Sequence, residues 1–100
     1  MNYWLLKSEP TSWSWDQQQQ RGESGEWWDG VRNHQAAKNL RAMRTGDLAF
    51  FYHSGKNPCI VGVVEIIAEA TLDPSDPQKT FVMVCVQSKG SFSNPIRLST

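Results

Sequence analysis

The run Ile60-Val61-Gly62-Val63-Val64 constrains this chain more than any other stretch. Its apolar residues follow one another without alternation, so as a strand it must bury both faces. Such a strand is expected at the centre of a sheet or barrel. The strand is long, spanning residues 59–70. In its second half Glu65 and Glu69 alternate with apolar residues, which brings one face to water. Gly62 inside it marks a bend or a close backbone approach.

The remaining elements are read around that strand. Residues 47–53 form a strand with Leu48, Phe50 and Tyr52 on one face and Ala49, Phe51 and His53 on the other. Residues 54–58, with Gly55 and Pro58, make the hairpin loop between the two. Residues 2–7 form a first strand that stops at Ser8-Glu9-Pro10. Ser12 or Ser14 caps a short helix through Gln20, whose polar tail, residues 17–20, reads as a solvated end. The sequence Trp27-Trp28-Asp29-Gly30 reads as a turn that opens a helix over residues 33–43, with Ala36, Leu40 and Met43 on one face. Asp29 is its expected cap and Gly46 its stop. Residues 71–79 form a loop, 80–87 a buried strand that holds Cys85, and 88–93 a turn. Residues 94–98 start another element. This order predicts an α+β fold: one domain over residues 1–100, with a mostly antiparallel curled sheet and flanking helices.

Charge is zero overall but uneven. Residues 1–30 carry −3, 31–58 carry +4, 59–78 carry −4 and 79–100 carry +3. A dipolar surface of this kind steers a polyanion to one face. Arg32, Lys38, Arg41 and Arg44 lie between Val31 and Gly46 with no carboxylate among them. No apolar stretch reaches the ~20 residues that cross a bilayer. Lys7 and Glu9 interrupt any N-terminal signal-like run, so secretion is not expected. Two cysteines, Cys59 and Cys85, make neither a disulfide framework nor a zinc spacing.

Catalytic readings fare poorly. His53 and Ser54 are adjacent, so on a strand they face opposite sides and make no nucleophile–base pair. There is no nucleophile elbow, phosphate loop or metal-binding helix motif. Neither a metal nor a cofactor is expected. Five tryptophans exceed what a small core needs. Aromatic faces beside amides and cations suit a nucleobase pocket. Ser8-Glu9, Asn33 with Gln35, and Tyr52-His53-Ser54 each end an element, where sites usually form.

Four ordered blocks carry a family signal. They are Tyr3-Trp4-Leu5-Leu6-Lys7-Ser8-Glu9-Pro10, Trp28-Asp29-Gly30-Val31-Arg32-Asn33-His34-Gln35-Ala36, Leu40-Arg41-Ala42-Met43, and Gly46-Asp47-Leu48-Ala49-Phe50-Phe51-Tyr52-His53-Ser54-Gly55. Together they resemble the EVE domain of the PUA-like superfamily, closely over roughly residues 2–70. The resemblance implies a PUA-like pseudobarrel and a non-enzymatic reader of a modified nucleobase, C5-modified cytosine in DNA above all. An RNA-binding module is the alternative, and a nucleotide-processing protein using His53 a more distant one. Carried over by position, the pocket takes Lys7, Ser8, Glu9, Trp28, Arg32, Asn33, Gln35, Asn39, Tyr52, His53 and Ser54. Trp28 or Tyr52 would stack on the base and Asn33 or Gln35 would pair with its edge. Arg32, Lys38 and Arg41 would hold phosphates. The implied partner is nucleic acid, with no membrane. The implied location is nuclear in a eukaryote and cytoplasmic in a bacterium. His34 stands where the family pattern has tyrosine, and Trp27 doubles the tryptophan. Family domains also continue beyond the position of Asn94, so a partner chain or homodimer is expected to cover the open sheet edge.

Overall fold

The computed structural model describes residues 3–55 and 58–97. Asn2, Lys56, Asn57 and Leu98, which the sequence reading placed in strand, loop and final element, lie outside them. Five strands and two helices follow in order: β1 (Tyr3–Ser8), α1 (Trp15–Gln20), β2 (Glu26–Trp28), α2 (His34–Ala42), β3 (Leu48–His53), β4 (Cys59–Leu72) and β5 (Val82–Arg97). A single 3-10 turn, Gly22–Ser24, precedes β2.

The strands form one sheet in the order β1-β3-β4-β5-β2. The doubly apolar strand β4 is therefore central, as its composition requires. β1 pairs with β3 in parallel, and the other three pairings are antiparallel. Register shifts interrupt β4 against β5 at several points, and β3 against β4 between Phe51 and Tyr52. Such bulges bend and twist a sheet. The result is a curled sheet with flanking helices, an α+β fold of pseudobarrel type.

The inner face of the sheet buries Leu6, Ala49, Phe51, Val64, Ile66, Val84 and Val86, and Leu40, Met43 and Trp15 close over it. Each inner set alternates along its strand, which is the period-two pattern of a half-buried strand. Gly62 shows why its side chain is missing. A Cβ there would run into the Trp15 indole, whose ring occupies that space. That indole is fixed by a hydrogen bond from Trp15 Nε1 to Ser91 Oγ at 2.9 Å.

Both helices start on a side-chain cap. Ser14 Oγ accepts from the Gln17 N–H, and Gln17 Oε1 accepts from the Ser14 N–H, which makes a capping box. Asn33 Oδ1 accepts from the Ala36 N–H at 2.9 Å and caps α2. Asn33, not Asp29, is thus the cap, because Asp29 directly follows β2 and residues 30–32 separate it from the cap position. α2 turns Ala37 and Leu40 inward, and Met43 is its C-cap.

Three further expectations are corrected. Trp27 and Trp28 are not a helix-opening turn but part of β2, paired with Cys85 and Val84 of β5. Residues 88–93 are not a turn, since β5 runs through them, with its irregular register against β4 taking up the small residues. Gln18 does not belong to a solvated tail. It is fully buried, accepting from Trp13 Nε1 at 2.9 Å and donating through Nε2 to the Val86 carbonyl at 3.2 Å.

Candidate functional site

The sheet curls so that its two edge strands, β1 and β2, line the same cleft without pairing with each other. The cleft measures about 520 Å³, within the ~300–1,000 Å³ range of small-molecule sites. Lys7, Ser8 and Glu9 line it from the end of β1. Ser12 and Trp13 follow from the adjoining turn, and Glu26, Trp27 and Trp28 from β2. The loop into α2 adds Asp29, Gly30, Val31, Arg32 and Asn33.

Each wall is held by its own bonds. At the β1 end the Glu9 carbonyl accepts from the N–H groups of Ser12 and Trp13, both at 2.9 Å. Ser8 Oγ donates to the Trp13 carbonyl at 2.6 Å, and the Trp13 indole N–H is anchored on buried Gln18. On the opposite wall Trp28 stands edge-on to Phe51, with centroids 5.5 Å apart and planes at 88°. Phe51 also touches the rings of Trp15 and His53, at 5.0 and 5.6 Å. Trp28 is therefore backed, behind the cleft, by an aromatic cluster around one fully buried ring.

The loop 29–33 is tied to the distant turn after β4. Gly30, at φ 77°, donates its N–H to Asp73 Oδ2 at 2.8 Å, and Arg32 Nη1 reaches the same oxygen at 3.2 Å. A positive φ of this size suits glycine. Arg32 Nη2 also donates to Ser75 Oγ, and its guanidinium lies over the Phe81 ring at 5.5 Å. Burial acts to raise the Asp73 carboxyl. The hydrogen bonds from Ser75, Gly30 and Arg32 outweigh it and hold the group down at about 2. Asp76 is held below the usual carboxylate range as well, chiefly by the backbone N–H of Phe81, with Thr80 and Gln78 adding to it against burial.

Of the residues expected at the site, Lys7, Ser8, Glu9, Trp28, Arg32 and Asn33 come together in this cleft. Tyr52, His53 and Ser54 do not line it. Tyr52 pairs with Lys7 in register and lies under the Lys7 ammonium, 5.8 Å from ring centroid to Nζ. Ser54 donates its N–H to the Ser8 carbonyl at 2.9 Å. His53 lines a second, smaller cleft of about 240 Å³ with Trp15, Asp16, Val61 and Ser91. Gln35 and Asn39 sit on the exposed side of α2, 3.5 Å apart. Lys38 is exposed there too, and Arg41 donates to the Thr80 carbonyl at 3.1 Å. Arg32, expected on a phosphate, is engaged by Asp73 and Ser75. Trp13 and Trp27 were not singled out from sequence as site residues. The excess of tryptophan was the available signal, since four of the five fall at or before position 27 and the fifth is Trp28.

His53 carries a pH dependence. Its Nε2 accepts the Trp15 N–H at 3.0 Å, which requires the neutral ring. Burial pushes its pKa down, and the Asp16 carboxylate acts the other way. The unfolded chain therefore binds the proton first. Stability from this group is complete above the ordinary value of 6.5 and falls as pH drops through that value toward the lowered one. Urea midpoints between pH 8 and 5 are expected to decline in the natural chain and to flatten in His53→Gln. Parallel curves for the two would contradict this.

The EVE domain profile matches residues 2–100. The chain belongs to the EVE domain family. Among solved relatives, this EVE domain is 50% identical to Rpa0253 of Rhodopseudomonas palustris, with a TM-score of 0.91 over 98% of this chain and 68% of that one. It is 35% identical to the human THYN1 protein solved in complex with 5-methylcytosine-containing DNA, with a TM-score of 0.86 over 96% of this chain and 70% of that one. Thymocyte nuclear protein 1 of Rattus norvegicus is 46% identical over 88 residues, 78% of this chain and 39% of that protein. The EVE chain thus spans about two fifths of the length of that curated relative.

Proposed function

We propose that this EVE domain is a reader, not an enzyme, and that it holds a C5-modified cytosine of DNA in the cleft between β1 and β2. The observation that carries the reading is the placement of Trp13, Trp27 and Trp28 around one cleft on a scaffold shared with a protein solved on 5-methylcytosine-containing DNA. Taking a base out of a duplex costs a few kcal/mol. One aromatic stack returns ~1–3 kcal/mol. Stacking alone does not cover the cost, so the polar rim of Lys7, Ser8, Glu9 and Asn33 has to contribute hydrogen bonds. Phosphates are met outside the cleft, by the exposed cations on α2 and just after it, of which Lys38 is the most accessible chemically because Arg41 and Arg44 already donate to backbone carbonyls.

The test is titration of matched duplexes, with and without a single 5-methylcytosine, at several salt concentrations. The methylated duplex is expected to bind more tightly, with a negative salt slope. Trp28→Ala is expected to remove the preference, while Lys38→Ala weakens both duplexes alike and reduces the salt slope by about one. Equal affinity of the natural chain for both duplexes would end the reader proposal. A tighter matched RNA would redirect it to an RNA-binding module.

A further inference from the structure

The rim of the cleft holds more negative than positive charge. Its ionisable groups are Lys7, Arg32, Glu9, Glu26 and Asp29. Arg32 is bonded to Asp73, and Glu26 is paired with Arg21 at 3.2 Å. Lys7, Glu9 and Asp29 remain. Glu9 and Asp29 are exposed, and neither carboxylate meets a donor among the described residues.

Two such groups repel a phosphate and, placed at the position-4 edge, favour a neutral ring that carries an exocyclic amine there. An ionised carboxylate accepts hydrogen bonds and donates none. Cytosine presents an N4 amino donor where thymine presents the O4 acceptor. Thymine and 5-methylcytosine carry the same C5 methyl group, so a site that sensed only the methyl would confuse them. Thymine is also far more abundant in DNA than any methylated cytosine, so a useful reader has to reject it.

We propose that Glu9 and Asp29 are the specificity-determining residues of the cleft, accepting from the exocyclic amine of methylated cytosine and excluding thymine. This rests on the base-reading function proposed above and adds the edge by which the base is told apart.

The experiment uses four single-stranded oligonucleotides that differ at one central base: cytosine, 5-methylcytosine, uracil or thymine. They are titrated against the natural chain, Glu9→Gln, Asp29→Asn and the double variant. Both side chains are exposed, so the variants are expected to keep the native near-ultraviolet circular dichroism. The natural chain is expected to bind 5-methylcytosine roughly ten- to a hundred-fold more tightly than thymine. The double variant is expected to lose that ratio, because a carboxamide both donates and accepts and can pair with either edge. Equal binding of 5-methylcytosine and thymine, both above cytosine and uracil, would overturn the inference and leave base reading intact. Equal binding of all four would overturn base reading itself. An amine preference that survives in every variant would take the role away from Glu9 and Asp29.

Discussion

Phe51→Ala is expected to lower the stability of the domain by roughly 3–5 kcal/mol. Phe51 is fully buried, and its ring meets Trp15, Trp28 and His53 within 5.6 Å. Removing it takes away apolar burial and leaves a cavity that the neighbours fill only in part. A domain of this size has about 5–15 kcal/mol in total, so the variant stands near the limit of folding. The loss is also functional, because the Trp28 wall of the cleft leans on this ring. Urea denaturation followed by tryptophan fluorescence gives the first number, and oligonucleotide titration of the remaining folded protein gives the second. A stability loss below about 1 kcal/mol would show that the aromatic cluster is not the keystone that its burial implies.

Asp73→Ala is expected to cost roughly 2–4 kcal/mol, since it strips partners from the Gly30 N–H, the Ser75 N–H and hydroxyl, and the Arg32 guanidinium together. The sign of its pH dependence follows from the lowered value. With the folded-state carboxyl at about 2 against an ordinary 3.8, its contribution is complete above about pH 4 and is lost as pH falls toward 2. The difference in urea midpoint between the natural chain and Asp73→Ala should therefore be full at pH 6 and largely gone at pH 2. A difference that does not change with pH would refute the clamp. Because Asp73 fixes loop 29–33, the variant should also bind the methylated duplex more weakly at pH 6. Ser75→Ala, which removes the hydroxyl's bonds to Asp73 and from Arg32 but leaves those of the Ser75 N–H, Gly30 and Arg32 to Asp73, should fall between the natural chain and Asp73→Ala in both measurements.

The contrast between these two residues shows where reading the sequence succeeds. Alternation puts Phe51 on one face of its strand with Ala49 and His53, a pattern confined to a few neighbouring positions, and the structure shows that Ala49 and Phe51 of that face are buried. Gly62 reads as a bend or a close backbone approach, and what approaches it is a side chain, the Trp15 indole. Asn33, by contrast, reads from sequence either as a base-edge residue or as a helix-start cap, and Asp29 as a cap; of the two it is Asn33 that caps the helix. Its amide type was visible, but which of two acceptors caps α2 depends on where the chain leaves β2.

By itself the sequence determined the central strand, the flanking strands, the two helices and, through its ordered blocks, the family. Those features come from side-chain period, turn chemistry and caps, forces that act within about one or two turns of chain. Tertiary structure alone decided that Trp27 and Trp28 lie on a strand, because their partners Cys85 and Val84 are far along the chain. It alone buried Gln18, joined Gly30 and Arg32 to Asp73 across 43 and 41 positions, and brought two edge strands to one cleft. The physical reason is that hydrogen bonds and ring contacts between distant segments depend on how the sheet curls, and that curl is set by register shifts no local pattern records.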